Sequence, residues 1–388
     1  MNLEFSHEAI IKAIKSVVKA GAPIPLHEPS FNGNEWAYVQ DCLDSGWVSS
    51  VGQYVDRFER MLSEYCGVPA IATVNGTAAL HIGLLLSRVE AGDEVMVPSM
   101  TFVATANAVS YCGAVPHFVD SEEKTLGINP FALRDYLQDI SVLRYGECYN
   151  RKTKRRIKAL VPMHTFGHSV DMDPLLESAA EYKLTIVEDA AESLGSFYKG
   201  QHTGTIGKIG MLSFNGNKIV TTGGGGAILT NDHHLARLAK HLTTTAKQPH
   251  KWAFNHDMVG YNYRMPNINA ALGCAQLEQL PRFIQQKRRL ARRFQRVFAG
   301  VPGVRCFKEP DFARSNYWLN VLLLDKALNS QRNKLLDAIN DAGFMSRPVW
   351  TLLHRLPMFK NCPRMDVKIA EKLESQIINI PSSAILGA

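Results

Sequence analysis

From about residue 68 onward, short apolar segments alternate with segments whose apolar positions recur at helical spacing. Strands are predicted over 71–74, 94–98, 115–119, 158–162 and 184–187, and helices over 77–86, 103–111 and 174–182. Short strands that are apolar on both faces are typical of a sheet that is covered by helices on both sides. The alternation therefore predicts an α/β unit built around a mostly parallel sheet.

The pattern changes after about residue 245, where longer helical segments dominate. The predicted elements are a helix over 266–298 in which Pro281 is a potential break, a strand over 317–324, and helices over 331–342 and 367–378. Near the N-terminus, apolar residues between Ile10 and Val18 also recur at helical spacing. We therefore expect an N-terminal helical extension (1–23), a large domain (24–250) and a small C-terminal α+β domain (251–388).

Composition narrows the class of protein. The chain has 388 residues, of which 46% are hydrophobic and 20% charged, as in an ordinary globular enzyme. No apolar run reaches 18 residues and the N-terminus lacks a secretory pattern, so we expect no membrane span. Seven cysteines are scattered without a CxxC pair, which favours reduced thiols in a cytoplasmic protein over a disulfide framework or a metal site.

The formal net charge of +7 raises the question of nucleic-acid binding. Basic residues concentrate in 151–158, which is typical of a polar loop before a strand, and in 287–296. The second stretch carries Leu290, Phe294 and Val297 at helical spacing, so its basic residues are expected on a solvated face. We expect no nucleic-acid partner, because a modest positive field suits an anionic small substrate equally well.

The first candidate for chemistry is Asp189, which closes an apolar strand in the sequence VEDAAE (187–192). In an α/β sheet, that end of the strands lines the ligand crevice. A carboxylate there can pair with the protonated ring nitrogen of a cofactor such as pyridoxal 5′-phosphate, which makes the ring a better electron sink. The alternative is that Asp189 caps the next helix, and this residue alone does not decide between the two.

The second candidate is Lys218, in the segment SFNGNK (213–218) that precedes a glycine-rich run. A lysine in such a tight connection can reach inward, and burial makes its amine deprotonated and nucleophilic. Ser213 offers a hydroxyl for a phosphate. The alternative is a surface lysine in a hairpin, which is the commoner place for a lysine. The order Asp189, Ser213, Lys218 is nevertheless far more specific than either charged residue alone.

Three further motifs add polar or aromatic groups. In NGTAAL (75–80), Gly76 allows close backbone approach and Thr77 adds a hydroxyl at a helix start, where free N–H groups can hold a phosphate. In PSMTF (98–102), Phe102 could stack on a planar ring. An ordinary helix cap and a core aromatic are the alternatives. The segment GYNYRM (260–265) contains polar donors among aromatics and by itself implies little.

Five motifs together resemble the pyridoxal phosphate-dependent nucleotide-sugar aminotransferases of the DegT/DnrJ type. They are NGTAAL (75–80), PSMTFVAT (98–105), VEDAAESLGS (187–196), SFNGNKIVTTGGGG (213–226) and GYNYRMPN (260–267). The resemblance runs from about residue 24 to the C-terminus, with the motifs in order. It implies an aspartate-aminotransferase-like α/β fold (fold type I), in which the large domain has a mostly parallel sheet and holds the cofactor.

The resemblance also implies roles for the residues around the cofactor ring. Lys218 would hold the cofactor as a Schiff base and then move protons between cofactor and substrate. Asp189 would hold the pyridine nitrogen. Phe102 would stack on the ring face, and Glu192 would lie near the ring hydroxyl.

A second set of residues matches the phosphate site of that family. Gly76, Thr77 and Ser213 would bind the phosphate within one subunit. Asn262 resembles the residue that reaches the phosphate from the neighbouring subunit. The family builds its active site at a dimer interface, so the resemblance implies a homodimer with shared active sites.

Other segments resemble a subgroup that makes 4-amino-4,6-dideoxy-N-acetyl sugars on the way to bacillosamine and legionaminic acid. They are the Glu192-containing EDAAESLGS, RSNYWL (314–319), PLHEPSFNGNEW (25–36) and SGWVSSVG (45–52), and the first 23 residues resemble an additional helix of the legionaminic-acid members. Candidates for substrate or partner-subunit contacts are Trp47, Arg314, Asn316, Trp318 and Arg347. For each of these, core or surface packing is an equal alternative.

The reaction implied is a ping-pong transamination, in which L-glutamate donates an amino group that ends on the C4 ketone of a nucleotide-linked 4-keto-6-deoxy sugar. A sugar dehydratase of the same fold is disfavoured, because such members carry histidine in place of Lys218. A non-catalytic regulatory protein is disfavoured by Lys218, Asp189 and Ser213 occurring together. Transamination of a different ketone, such as a C3-keto sugar or an octulosonate, stays open, as does the choice of UDP or GDP.

Overall fold

The computed structural model describes residues 5–18, 21 and 23–388. The strands are β1 (Ala70–Thr73), β2 (Glu94–Pro98), β3 (Val115–Val119), β4 (Ser141–Arg144), β5 (Glu147–Asn150), β6 (Arg156–Leu160), β7 (Thr185–Asp189), β8 (Phe197–Tyr198), β9 (Gln201–His202), β10 (Ile209–Ser213), β11 (Gly226–Leu229), β12 (Val304–Cys306), β13 (Ala313–Arg314), β14 (Asn320–Leu324), β15 (Arg347–Pro348) and β16 (Ile377–Ile380). The helices are α1 (His7–Val17), α2 (Glu35–Ser45), α3 (Gln53–Cys66), α4 (Gly76–Leu86), α5 (Val103–Tyr111), α6 (Pro130–Ile140), α7 (Met172–Tyr182), α8 (His233–Thr243), α9 (Asn267–Phe298), α10 (Arg332–Asp341) and α11 (Lys368–Gln376). Residues 1–4, 19, 20 and 22 of the predicted N-terminal extension lie outside the described residues.

The largest sheet contains its main strands in the order β1-β11-β10-β7-β6-β2-β3. The strand pairs from β10 to β3 are parallel, and along this path only β11 runs against its neighbours. Strands β1, β2 and β11 are buried along their whole length, and α4, α5, α7 and α8 contact the sheet. The predicted α/β class with a mostly parallel sheet is confirmed. The carboxyl ends of β7 and β10 lie side by side and carry the candidate residues Asp189 and Ser213.

A hairpin that the sequence pattern did not reveal precedes the basic stretch 151–158. Strands β4 and β5 pair antiparallel, and β5 also pairs antiparallel with the start of β6. Within that stretch, the Arg156 guanidinium forms ion pairs with Asp93 at 2.7 Å and Glu90 at 3.1 Å. Part of the positive charge is therefore neutralised inside the protein.

A second sheet near the C-terminus has the strand order β12-β14-β16-β15. Its apolar face shares a core with α1, where Ile10 and Ile14 lie among Phe294, Phe298 and Ile378. The described part of the N-terminal extension therefore packs on the C-terminal part of the chain. The domain boundaries at residues 23 and 250 stay predictions.

Two of the predicted C-terminal elements have different ends in the structure. The helix predicted over 367–378 ends at Gln376, and the isoleucine-rich segment after it forms β16, which pairs with β14. β-Branched residues such as isoleucine pack better on a pleated sheet than in a helix. The strand predicted over 317–324 begins only at Asn320, because Tyr317 has a left-handed φ of 50° that interrupts the extended backbone.

Helix α9 runs for 32 residues without a break at Pro281, so the potential break did not form. Proline removes one main-chain hydrogen bond, but the neighbouring turns are fixed by packing of Leu277, Leu280 and Ile284 in the main core. In the described part of the chain, no helix combines the length and the apolar character that crossing a membrane requires.

The prediction that the basic residues of 287–296 lie on a solvated face is wrong for the first of them, Lys287. Lys287 is completely buried, and its amine donates hydrogen bonds to the main-chain oxygens of Trp318 and Ser382. Arg289 and Arg292, on the same helix, are exposed as predicted. Helical spacing placed Lys287 beside the apolar stripe, and two distant carbonyl groups make its burial possible.

Candidate active site

Asp189 ends β7 with its carboxylate buried beneath the carboxyl edge of the sheet. The Thr105 hydroxyl donates to one carboxylate oxygen at 2.7 Å, and the Ala191 amide donates to the other at 3.2 Å. Burial raises the pKa of Asp189, while these hydrogen bonds and the Lys218 charge act in the opposite direction. Residues 190–196 form turns and not a helix, so Asp189 does not cap a helix.

Lys218 lies in the turn after β10 and points inward, with only 13% of its side chain exposed. Its amine lies 3.2 Å from a carboxylate oxygen of Glu192 and 4.0 Å from the centroid of the Trp318 ring. The alternative of a surface lysine in a hairpin does not describe this side chain. An amine held between a carboxylate and an aromatic face is instead available to a ligand in the adjoining cavity.

Glu192 faces Lys218 from the turn that follows β7. Its second carboxylate oxygen accepts a hydrogen bond of 2.8 Å from the Phe166 amide. Burial raises the pKa of Glu192 to about 7, and the nearby charge of Lys218 opposes that rise. Near neutral pH this carboxyl group can therefore either donate or accept a hydrogen bond.

Helix α4 begins at the edge of the same cavity. The Asn75 side chain caps the helix by accepting a hydrogen bond of 2.7 Å from the Ala78 amide. The amides of Gly76 and Thr77 belong to the first turn, where N–H groups have no acceptor within the helix. The positive end of the helix dipole adds to their attraction for an anion.

These groups line one cavity of about 300 Å³. The predicted cofactor residues in its wall are Gly76, Thr77, Phe102, Asp189, Glu192, Ser213 and Lys218. Phe102 is half exposed at the start of α5, and its ring centroid lies 6.3 Å from that of Trp350. The structure therefore brings together residues from four of the five sequence motifs.

The remaining predicted residues have different positions. Trp318 lines the cavity, whereas Trp47, Arg314 and Arg347 do not, and Asn262 lies on the exposed surface before α9. Asn316 is completely buried outside the cavity wall.

Asn316 uses its side chain to hold the turn that carries Glu192. Its amide nitrogen donates to the main-chain oxygens of Glu192 and Leu194, each at 2.9 Å. Its amide oxygen accepts a hydrogen bond of 2.7 Å from the Trp318 amide. The geometry thus gives Asn316 a supporting position and no direct contact with the cavity.

Sequence reasoning missed two residues of the site. Thr105 binds Asp189, and it is the last residue of the motif PSMTFVAT, one helical turn after Thr101. That spacing was a usable signal. Trp350 lines the cavity from an irregular segment after β15, where the sequence pattern gave no signal.

Comparison with known proteins assigns this site to a family. Residues 29–387 match the model of the DegT/DnrJ/EryC1/StrS aminotransferase family. The chain belongs to this family. It is 37% identical to "GDP-perosamine synthase" of Caulobacter vibrioides over 365 residues, which are 93% of each chain. It is also 37% identical to "Putative pyridoxal phosphate-dependent aminotransferase EpsN" of Bacillus subtilis, covering 87% of this chain and 84% of that protein.

Solved structures agree with the family assignment. The aminotransferase TlmJ from Streptoalloteichus hindustanus superposes with a TM-score of 0.83 at 27% identity, covering 93% of this chain and 94% of that chain. The fold is thus aspartate-aminotransferase-like, as the resemblance implied. The protein is a pyridoxal phosphate-dependent aminotransferase of this family.

The cavity fits this cofactor. A β-carbon on Gly76 would lie 2.9 Å from the Ser213 β-carbon, and one on Gly226 would lie 2.6 Å from the Asn75 oxygen. The bare glycine backbone is therefore what allows the start of α4 to approach β10 and β11 and form a cradle. Amide donors at that cradle suit a phosphate, and Asp189 and Lys218, which line the same cavity, offer partners for a ring nitrogen and an aldehyde.

Proposed function

We propose that this protein transfers the amino group of L-glutamate to the C4 ketone of a nucleotide-linked 4-keto-6-deoxy sugar. The observation that carries the proposal is the convergence of Lys218, Asp189 and the start of α4 on one cavity. Bound pyridoxal phosphate supplies an electron sink that stabilises negative charge on the carbon next to the transferred nitrogen. The protein supplies binding, orientation and proton transfer.

In this proposal Asp189 holds the ring nitrogen in its protonated form. Its carboxylate is buried and hydrogen-bonded by Thr105, so it is fixed in orientation and poorly solvated. A buried anion favours a protonated partner far more than an exposed one does. Glu192 would interact with the ring hydroxyl, and because burial raises its pKa to about 7, it could donate or accept that hydrogen bond near neutral pH.

Lys218 is proposed to bind the cofactor aldehyde and to carry the proton between a substrate carbon and a cofactor carbon. Its amine lies in the cavity wall beside Glu192 and Trp318, which limit its movement. A base held within reach of the reacting carbon contributes typically 10²–10⁴-fold to such a reaction. Phe102 would cover the ring, while Gly76, Thr77 and Ser213 would hold the phosphate.

We also propose a homodimer with shared active sites. Large apolar side chains are exposed on two separate stretches of the chain, which contain Trp36, Trp47 and Val51, and Trp252, Phe254 and Val259. Clusters of exposed apolar residues of this size are typical of an interface. Exposed Asn262 follows the second stretch and would reach the phosphate of the neighbouring subunit. Sedimentation of the purified protein at micromolar concentration should give twice the 43.1 kDa chain mass.

We propose two alternative nucleotide sugars as the amino acceptor. The relative named for GDP-perosamine supports a GDP-linked 4-keto-6-deoxy sugar. The motifs around Glu192 and Asn316 support instead an N-acetyl sugar on the way to bacillosamine or legionaminic acid, linked to either UDP or GDP. We propose a cytoplasmic location, which the seven unpaired cysteines support.

The first test is an absorbance spectrum before and after addition of L-glutamate. A visible band that moves to the near ultraviolet shows that Lys218 held the cofactor and that glutamate is a donor. Addition of the GDP-linked or the UDP-linked 4-keto sugar should then restore the visible band for one of them. Absence of any visible band after incubation with the cofactor would refute the proposal and favour a non-catalytic protein of this fold.

A further inference from the structure

Lys287 lies near the middle of α9 with its side chain wholly inside the protein. Its amine donates to the main-chain oxygen of Trp318 at 3.1 Å and to that of Ser382. Among the described residues, no carboxylate forms an ion pair with it. An amine without a counter-ion is costly to bury, and a methionine of similar length would fill the same space more cheaply. The amine is therefore expected to serve a purpose other than stability.

Trp318 connects Lys287 to the cofactor lysine. The indole N–H of Trp318 donates a hydrogen bond of 2.8 Å to the main-chain oxygen of Asn217, the residue before Lys218. The Lys218 amine lies 4.0 Å from the centroid of the indole ring. Trp318 thus contacts both the main chain of Asn217 and the side-chain amine of Lys218. Any displacement of the indole would move Lys218 relative to Asp189.

The main chain at Trp318 needs to be held in place. The preceding residue, Tyr317, has a φ of 50°, which is an unfavourable conformation for a bulky aromatic residue. Such conformations persist only where surrounding contacts determine them. Two contacts do so at Trp318, namely Asn316, which accepts from its amide at 2.7 Å, and Lys287, which donates to its carbonyl.

We infer that Lys287 is a positioning residue that fixes the Trp318 indole and, through it, the Lys218 amine. The inference rests on the proposed role of Lys218 in holding the cofactor. Lys287 itself touches neither cofactor nor cavity, since Trp318 stands between. Its amine fixes the orientation of the Trp318 main-chain carbonyl by donating a hydrogen bond to it. A side chain of the same length that has no hydrogen-bond donor therefore cannot replace Lys287.

The test compares the wild-type protein with Lys287→Met, both loaded with pyridoxal phosphate. The readout is the pH at which the visible band of the bound cofactor changes, which reports proton affinity at the nitrogen of Lys218. The π face of the indole favours the protonated nitrogen. Release of the indole should therefore lower the midpoint, with at least a threefold loss of proton affinity. Arg289→Met, on the exposed side of the same helix, is the matched control and should leave the midpoint unchanged.

The direction of the shift separates positioning from simple charge. If Lys287 acted only through a positive charge, removing that charge would raise the midpoint, so a midpoint displaced to higher pH would overturn the inference. A lowered melting temperature with an unchanged midpoint would also overturn it, because Lys287 would then be purely structural. If Lys287→Met does not fold, Lys287→Gln, which keeps a donor on a shorter chain, is measured in its place and should give a smaller shift in the same direction.

A double substitution tests whether Trp318 transmits the effect. In a Trp318→Phe background, Lys287→Met should produce less than half of the shift that it produces alone, since the indole is already gone. Independent, additive shifts would refute transmission through Trp318. A wild-type protein with no visible band at all would refute the proposed function instead, which keeps the two failures distinct.

Discussion

The hydrogen bond from Thr105 to Asp189 gives the most direct test of the site. Thr105→Val keeps the shape of the side chain and removes the hydroxyl that donates to the carboxylate at 2.7 Å. A hydrogen bond to a charged group contributes about 1.5–3 kcal/mol. The Thr105 hydrogen bond opposes the rise in the pKa of Asp189 that burial causes, so the pKa should rise further when the hydroxyl is removed. The carboxylate would then hold a protonated ring nitrogen less firmly.

The expected consequence is a rate of amino transfer from glutamate that is about tenfold to hundredfold lower, because about 1.4 kcal/mol corresponds to a factor of ten. Stopped-flow absorbance at saturating glutamate measures this step directly. The acid side of the pH–rate profile should also move to higher pH, because the Asp189 carboxylate is protonated at a higher pH once the Thr105 hydrogen bond is gone.

Thr105→Ser is the matched control, because it restores the hydroxyl on a smaller side chain. Its rate should lie within about threefold of wild type, given that only one methyl group is lost. A valine variant as fast as the serine variant would refute the argument that this hydroxyl maintains the charge of Asp189.

Three further predictions follow from the same geometry. Lys218→Ala should abolish turnover at an unchanged circular dichroism spectrum, and near wild-type transamination would contradict its assignment. In the cofactor-free wild-type protein, the unfolding free energy should fall by roughly 3 kcal/mol as pH rises from 4.5 to about 7, because Glu192 ionises at lower pH in the unfolded chain than in the folded one. Glu192→Gln should not show this fall, and parallel stability profiles of the two proteins would contradict the argument. Asn316→Ala should lower the unfolding free energy by about 2–3 kcal/mol, because it leaves three buried main-chain groups without a partner, and a denaturant titration showing no change would disprove this supporting role.

Much of the large sheet could be predicted from apolar runs, because strands covered on both faces have a simple pattern. The hairpin of β4 and β5 could not, since its exposed residues mix polar and apolar types around the turn at Tyr145 and Gly146. The end of α11 was missed for a related reason. Ile377–Ile380 continues the helical spacing, and only pairing with β14 and β15 makes it a strand.

The candidate site was predictable where chemistry and sequence position coincide, as for Asp189 at the end of β7 and Lys218 in the turn after β10. Supporting residues were not predictable from local pattern. Asn316 binds main-chain groups more than 120 positions away, and Lys287 binds a carbonyl 95 positions away. Such partners are brought together only by the tertiary fold, so no local signal in the sequence marks them.

The continuity of α9 has a mechanical consequence. At about 1.5 Å per residue, its 32 residues form a rod roughly 48 Å long. At one end Asn269 holds the main-chain oxygen of Thr222 in the loop after Lys218, and at the other end Phe298 packs beneath the C-terminal sheet. A rod fixed at both ends transmits tilt, so any displacement of the C-terminal sheet would be felt as a small rotation beside Lys218. Pro281, near the midpoint and lacking one main-chain bond, is the place where this lever would flex first.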